Sequence, residues 1–201
     1  MEQYTHDWFS YNIEAWEQVL GHFKNQSNLK FLEVGCFEGK ATNWLCENIL
    51  NGNKSYITVI DTFEGSPEED GMNGIDFDTL RQRFESNTYK HKDKITILQG
   101  FSQDILRDIQ PIHKGYDFIY IDATHTAYGT LEDAVLCHRL LKPGGIIIFD
   151  DYQWVDPNRP EPYNSPALAI ESFVHCFKPF YDVVMTGYQV GIQKKINPNL
   201  D

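Results

Sequence analysis

The pattern that most constrains this chain is an alternation, almost from one end to the other, of apolar runs of strand length with segments of helical periodicity. KFLEV (Lys30 to Val34), SYITVI (Ser55 to Ile60), KITIL (Lys94 to Leu98), YDFIYI (Tyr116 to Ile121) and GIIIF (Gly145 to Phe149) are apolar on both faces. Parallel strands covered by helices on both sides require such runs. Helical patterns fall at about Lys40 to Leu50, Phe77 to Ser86, Ser102 to Ile109 and Thr130 to Leu141, the last stopped by LKPGG. Ahead of them Ile13, Trp16, Val19, Leu20 and Phe23 recur at helical spacing. After Phe149 a loop with four prolines (Asp156 to Pro166) leads to a helix around Ala167 to Phe177. Tyr181 to Met185 and Tyr188 to Gln193, split by Thr186 and Gly187, then read as an antiparallel hairpin. The expected fold is α/β: a doubly wound, mostly parallel sheet of seven strands closed by a C-terminal antiparallel hairpin.

The 201 residues are read as a single domain, with 1–28 a helical and aromatic cap and 62–80 an acidic loop. A chain of this size buries roughly 70% of its unfolded surface, so it needs no disulfides to build a core. Seventeen basic side chains stand against 29 acidic, a formal net charge of −12. That balance argues against sequence-independent nucleic-acid binding, which depends on Lys and Arg neutralising phosphates, and against anchoring on an anionic membrane. Six carboxylates (Glu64, Glu68, Glu69, Asp70, Asp76, Asp78) lie between Thr62 and Leu80 with no Lys or Arg among them. The stretch reads first as a solvated, mobile loop and second as a lid. No apolar run approaches the ~20 residues of a spanning helix, and MEQYTHDWFS lacks the layout of a signal peptide. Cys36, Cys46, Cys137 and Cys176 are scattered, without zinc spacing, and read as reduced thiols of a cytoplasmic protein.

Ligands of doubly wound sheets bind at the carboxyl ends of the strands. The first strand ends in Glu33-Val-Gly35-Cys-Phe-Glu-Gly39, a glycine turn feeding a helix, where backbone N–H groups approach a ligand. The second ends in Asp61, placed where an acidic side chain commonly accepts from ribose hydroxyls. The third ends in Gln99-Gly100-Phe101-Ser102-Gln103-Asp104, the fourth in Asp122-Ala-Thr-His125 and the fifth in Asp150-Asp151. One crossover of ordinary size joins strands four and five, so their ends should lie side by side and bring three carboxylates together. Three anions so close need protons or a cation, and oxygen ligands favour Mg²⁺, Ca²⁺ or Mn²⁺. Consecutive strand residues face opposite ways, so Asp150 and Asp151 share a metal only if the chain bends there. The alternative is that one of them braces the following loop.

With these residues in hand, the chain resembles the class I S-adenosylmethionine-dependent methyltransferases, of Rossmann-like fold. Within them it is similar to the metal-dependent small-molecule O-methyltransferases that act on catechols, macrolides and sugars. The resemblance covers Phe31 to Tyr152 closely. It implies a cofactor site of Glu33, Gly35, Cys36, Phe37 and Gly39, of Asp61 and Thr62, and of Gly100, Phe101, Ser102 and Asp122. Phe37 stands where a middle glycine is commoner in the family, and the catechol-type enzymes likewise place an aromatic residue there. The resemblance further implies metal ligands Asp122, Asp150 and Asp151, and His125 as the base three residues beyond the first of them. The Asp-Asp pair leans towards the sugar and macrolide branch.

The implied reaction is methyl transfer from S-adenosylmethionine to a hydroxyl of a small molecule, assisted by a divalent cation such as Mg²⁺. An imidazole, with an ordinary pKa of about 6.5, suits a base near neutrality. Tyr4, Trp8, Phe9, Tyr11, Trp16, Tyr152, Trp154 and Tyr163 are candidate pocket walls, with helix packing the stronger reading for Trp16. A nicotinamide-dependent oxidoreductase would share the first turn and Asp61 but leave the carboxylates unexplained. A non-catalytic nucleoside-binding module and a metal-independent methyltransferase are the other readings. No nucleic-acid or membrane partner is expected, and a homo-oligomer is left open.

Overall fold

The computed structural model describes residues 2–65, 75–109 and 115–196. Its strands are β1 (Lys30–Val34), β2 (Tyr56–Asp61), β3 (Ile95–Gln99), β4 (Tyr116–Ile121), β5 (Leu141–Phe149), β6 (Tyr181–Met185) and β7 (Val190–Lys194). They form one sheet in the order β3-β2-β1-β4-β5-β7-β6. The first five are parallel, and β7 runs antiparallel to both β5 and β6. The helices are α1 (Ile13–Leu20), α2 (Lys40–Asn48), α3 (Leu80–Thr88), α4 (Ser102–Asp108), α5 (Ala127–Leu140) and α6 (Pro166–Cys176). None among the described residues is long and apolar enough to cross a membrane. The middle of the expected acidic loop, with Glu68, Glu69 and Asp70, lies outside the described residues.

The doubly apolar strand runs are explained by two cores. Phe31, Ile57, Val59, Phe118, Tyr120, Ile146 and Ile148 face one way and meet Trp16, Leu20, Leu45 and Phe84 of α1, α2 and α3. Their neighbours Leu32, Val34, Ile60, Ile119, Ile121, Ile147 and Phe149 face the other way and meet Leu106, Cys137, Leu140, Ile170 and Phe173. Fully burying each of these side chains stabilises the fold by roughly 1.5–3 kcal/mol before entropy is counted.

Several boundaries differ from the sequence reading, among them the start of α3 at Leu80, of β7 at Val190, and the two that follow. The fifth helix starts at Ala127, because the Thr126 side chain caps it by accepting from Gly129 N–H. LKPGG does not separate helix from strand but opens β5, with a register irregularity between Tyr116 and Phe118 of the neighbouring strand.

The topology positions the site. From β1 the chain winds outward through β2 and β3, then returns to place β4 on the other flank of β1. A crevice forms above the carboxyl ends at such a switch point. The parallel ladder also continues one residue past each strand. Gly35 N–H donates to Ile60 O at 2.8 Å, Gly100 N–H to Asp61 O at 3.0 Å, Asp122 N–H to Val34 O at 2.7 Å and Asp150 N–H to Ile121 O at 3.0 Å. Gly100, Asp61, Gly35, Asp122 and Asp150 are thereby held in one row along the sheet edge.

Candidate active site

The turn after β1 is built on backbone strain and a buried acid. Gly35 sits at φ +86°, and a Cβ there would lie 1.8 Å from the Asp122 carbonyl oxygen. Phe37 adopts φ +45°, a left-handed conformation that costs a non-glycine residue about 1–3 kcal/mol. Asp61 holds the turn in this shape. Its Oδ2 accepts from the N–H groups of Cys36 at 2.8 Å and Phe37 at 3.0 Å, and its Oδ1 from Phe63 N–H at 2.7 Å. Gly39 caps α2 and approaches Phe84 and Thr88 of α3 closely.

Glu33 is buried beneath this turn, with Oε2 accepting from the Thr42 hydroxyl at 2.6 Å. Burial pushes its carboxyl up to about 8, against the opposing Thr42 bond and with a further push from Asp61. The folded state therefore binds a proton that the unfolded chain releases. The contribution of Glu33 to stability falls as pH rises from about 4.5 to about 8 and is constant outside that window, a loss of a few kcal/mol in all. Because Asp133 and Asp150 are raised as well, urea denaturation of Glu33→Gln across this range should show a shallower slope than the wild type rather than none; an identical pH dependence in both proteins would refute the assignment.

Glu38, which the sequence reading passed over, is the second buried acid of the turn. It accepts from Thr5 N–H at 2.6 Å and Thr5 Oγ1 at 2.9 Å, and pairs with Arg83. Trp8 stacks obliquely on Phe37 at 5.1 Å, so the N-terminal segment is strapped across the glycine turn. After β3, Gly100 turns at φ +149° and leaves the Phe101 ring 58% exposed at the crevice. Asp133 of α5 backs Ser102 by a hydrogen bond, and burial raises its carboxyl to about 7.

At the ends of β4 and β5 the acids meet. Asp122, His125 and Asp151 each offer a ligand atom, all within 4.8 Å of one another, and His125 Nε2 lies 2.9 Å from Asp151 Oδ2. The bend that bringing Asp151 into this group requires is present: Asp151 has φ +57°. Asp150 is engaged differently. Its Oδ2 accepts from the Tyr120 hydroxyl and from Gln189 Nε2 at 2.9 Å, and its Oδ1 from Asp151 N–H at 2.7 Å. The structure thus gathers Asp122, His125 and Asp151 at the surface of the site and sets Asp150 beneath them.

The electrostatics favour a cation. Burial, then repulsion from Asp150 and Asp151, holds the Asp122 carboxyl far above the usual range. Burial and Asp151 raise Asp150 to about 6. Among the described residues no Lys or Arg is ion-paired with either acid or with Asp151. Tyr120 also lies 3.0 Å from Asp122 Oδ2, so its single hydroxyl proton faces two carboxylates. A divalent ion on oxygen ligands fits this donor set.

Of the expected pocket walls, Tyr11 and Trp154 are near these acids. Tyr11 feels the charges of Asp150, Asp151 and Asp122 after burial and packs edge-on against Tyr188, while Trp154 lies 4.9 Å from the His125 ring. Tyr188, a residue the sequence did not single out, donates to Asp151 Oδ1 at 2.7 Å. Phe9 and Trp16 are core, Tyr4 accepts from Asn43, Tyr152 donates to Glu171 and Tyr163 points to solvent.

A profile of the methyltransferase domain family matches residues 32–152, the stretch from β1 through the acidic bend. The chain belongs to this family. An uncharacterised protein of Acanthamoeba polyphaga mimivirus is 24% identical over 150 residues, 72% of this chain and 61% of that protein. The chain therefore spans less than two thirds of that curated relative. The O-methyltransferase from Bacillus cereus, solved with SAH, shares the fold with a TM-score of 0.65 at 18% identity, over 96% of this chain and 84% of that one. MycE from the mycinamycin biosynthetic pathway, solved with Mg, SAH and mycinamycin VI, gives a TM-score of 0.60 at 13% identity, over 94% and 51%.

Proposed function

We propose that this methyltransferase uses S-adenosylmethionine to methylate an oxygen of a small hydroxylated molecule, with a divalent cation at the acidic end of the crevice. The observation that carries the reading is the meeting of Asp122, His125 and Asp151 beside the β1–β4 switch point. The SAH of the Bacillus cereus enzyme and the Mg and SAH of MycE support it by analogy of fold.

The glycine turn with Glu33, the Asp61–Thr62 turn, and Gly100 to Ser102 would hold the cofactor, reaching Asp122 at the sheet's switch point. That cofactor supplies a methyl group on a sulfonium. Asp122 and Asp151 would hold Mg²⁺ directly, and Asp150 would complete the trio from below through Tyr120 and the Asp151 N–H. Such an ion supplies the charge that lowers the pKa of an acceptor hydroxyl and fixes its orientation. His125 would receive the hydroxyl proton on the ring nitrogen turned away from Asp151, while its Nε2–H, 2.9 Å from Asp151 Oδ2, stabilises the imidazolium. Tyr11, Trp154 and Tyr188 flank the site and suit a flat or sugar-like acceptor. The sheet edge contributes alignment, an effect worth up to roughly 7–11 kcal/mol in favourable intramolecular systems.

Titration calorimetry with SAH, with Mg²⁺ and with EDTA tests the reading. SAH should bind, and Mg²⁺ at about a hundred times its Kd should stabilise the wild type by about 2.7 kcal/mol but leave Asp122→Asn unmoved. Absence of SAH binding would overturn the proposal. SAH binding with no Mg²⁺ effect would make the enzyme metal-independent, and SAH binding without turnover of any hydroxylated acceptor would favour a nucleoside-binding module.

A further inference from the structure

A buried polar chain runs from the N-terminal helix to the acidic bend. The indole N–H of Trp16, on α1, donates to Gln189 Oε1 at 2.7 Å. The same amide donates from Nε2 to Asp150 Oδ2 at 2.9 Å. Asp150 Oδ2 also takes the Tyr120 hydroxyl, and Asp150 Oδ1 takes the N–H of Asp151. The Trp16 ring packs edge-on against Tyr120 with centroids 4.8 Å apart. Trp16, Tyr120, Gln189 and Asp150 are all buried. The three partners come from separate places in the chain: α1, the end of β4, and the residue preceding β7, 173 positions after Trp16.

The chemistry of each link gives the chain a direction. An indole N–H only donates, so it fixes the Gln189 amide with its oxygen towards α1 and its NH₂ towards the acids. A flipped amide would place its carbonyl against the Asp150 carboxylate and its NH₂ against the indole donor. The oriented NH₂ and the Tyr120 hydroxyl together anchor Asp150 Oδ2, leaving Oδ1 to hold the Asp151 N–H in a bend that a non-glycine residue seldom adopts. The Asp151 carboxylate leaves that bend towards Asp122 and His125. Partners behind metal ligands commonly change metal affinity 10–100-fold when removed.

We infer that Trp16 and Gln189 are positioning residues for the cation site, setting the Asp150–Asp151 bend so that Asp151 faces Asp122. The inference rests on the proposed cation site and goes further, assigning a metal-site role to a tryptophan of the N-terminal helix and a glutamine of the hairpin. Both residues are buried and act through Asp150.

The test is calorimetric, on the full chain, with Mg²⁺ alone and with SAH alone. Gln189→Leu keeps side-chain bulk while removing both hydrogen bonds, and should weaken Mg²⁺ binding by about tenfold or more. SAH affinity should remain that of the wild type, which also shows that the variant is folded. Trp16→Phe removes the N–H donor and retains an aromatic ring; it should weaken Mg²⁺ binding in the same direction. Because the two residues act in series, the double variant should bind Mg²⁺ no more weakly than Gln189→Leu alone. A purely structural role would instead give independent, additive losses. Wild-type Mg²⁺ affinity in Gln189→Leu, or additive losses in the double variant, would overturn the inference while leaving the cation site standing. If Gln189→Leu does not fold, Trp16→Phe decides: unchanged Mg²⁺ affinity overturns the inference, and weakened affinity with SAH binding intact supports it. A wild-type protein that binds SAH but not Mg²⁺ overturns the cation site and the inference with it.

Discussion

His125→Ala is expected to lower turnover by about 10²–10⁴-fold while SAH binds as in the wild type. In barrier terms that is about 3–5 kcal/mol. The geometry requires a distinction, because His125 stands in one group with Asp122 and Asp151 and could serve as base or as ligand. Its loss as a base leaves Mg²⁺ affinity in place and removes the acid limb of the pH–rate profile. Loss of a ligand would reduce Mg²⁺ affinity and turnover together. Calorimetry with Mg²⁺ beside steady-state kinetics separates the two, and unchanged turnover in His125→Ala would remove it from the reaction altogether. Oxygen donors from Asp122 and Asp151 favour the base, since a site for Mg²⁺ gains little from imidazole nitrogen.

Most of the sheet was readable because its strands announce themselves. Runs such as Tyr116–Ile121 are buried on both faces, so their hydrophobicity is not diluted by a solvated side. The adjacency of Asp122 and Asp150 followed from one crossover length, and the structure places β4 beside β5 in parallel. What could not be read is anything decided by side chains from distant elements. Gln189 meets Asp150 only because β7 pairs antiparallel with β5, matching Val190 to Phe149, a register fixed by tertiary packing. Tyr120 looked like one more apolar strand residue; its hydroxyl gains its importance from the two acids it happens to reach. Trp16 is core, as its helical spacing implied, yet its N–H does separate work. Glu38 was passed over because, in sequence, a glutamate between two glycines of a turn is most simply a solvated residue.

The glycine turn yields the prediction with the largest effect on stability. Gly35→Ala would place a methyl group 1.8 Å from the backbone carbonyl oxygen of Asp122, at a φ of +86° that alanine resists. The obstacle is backbone in the next strand, so no side chain can swing aside. Strain of about 1–3 kcal/mol at the left-handed position adds to an overpacking cost of about 2 kcal/mol, for a total of about 3–5 kcal/mol. For a chain of this length each kcal/mol is worth about 2–4 °C, so Tm should fall by about 6–20 °C. The proposed function should suffer as well, because relief is available only by moving the β1 turn away from Asp122, which separates the glycine turn from the acids. SAH and Mg²⁺ affinities of the folded fraction, measured below the lowered Tm, should therefore both weaken. Gly21→Ala is the matched control. Gly21 has helical dihedrals, φ −56° and ψ −27°, and a Cβ there meets nothing within 4 Å. That substitution should be neutral or stabilise by about 0.4–1 kcal/mol through the unfolded chain. If Gly35→Ala melts with the wild type and binds SAH equally well, the close approach of β1 to Asp122 is not what joins the two halves of the site.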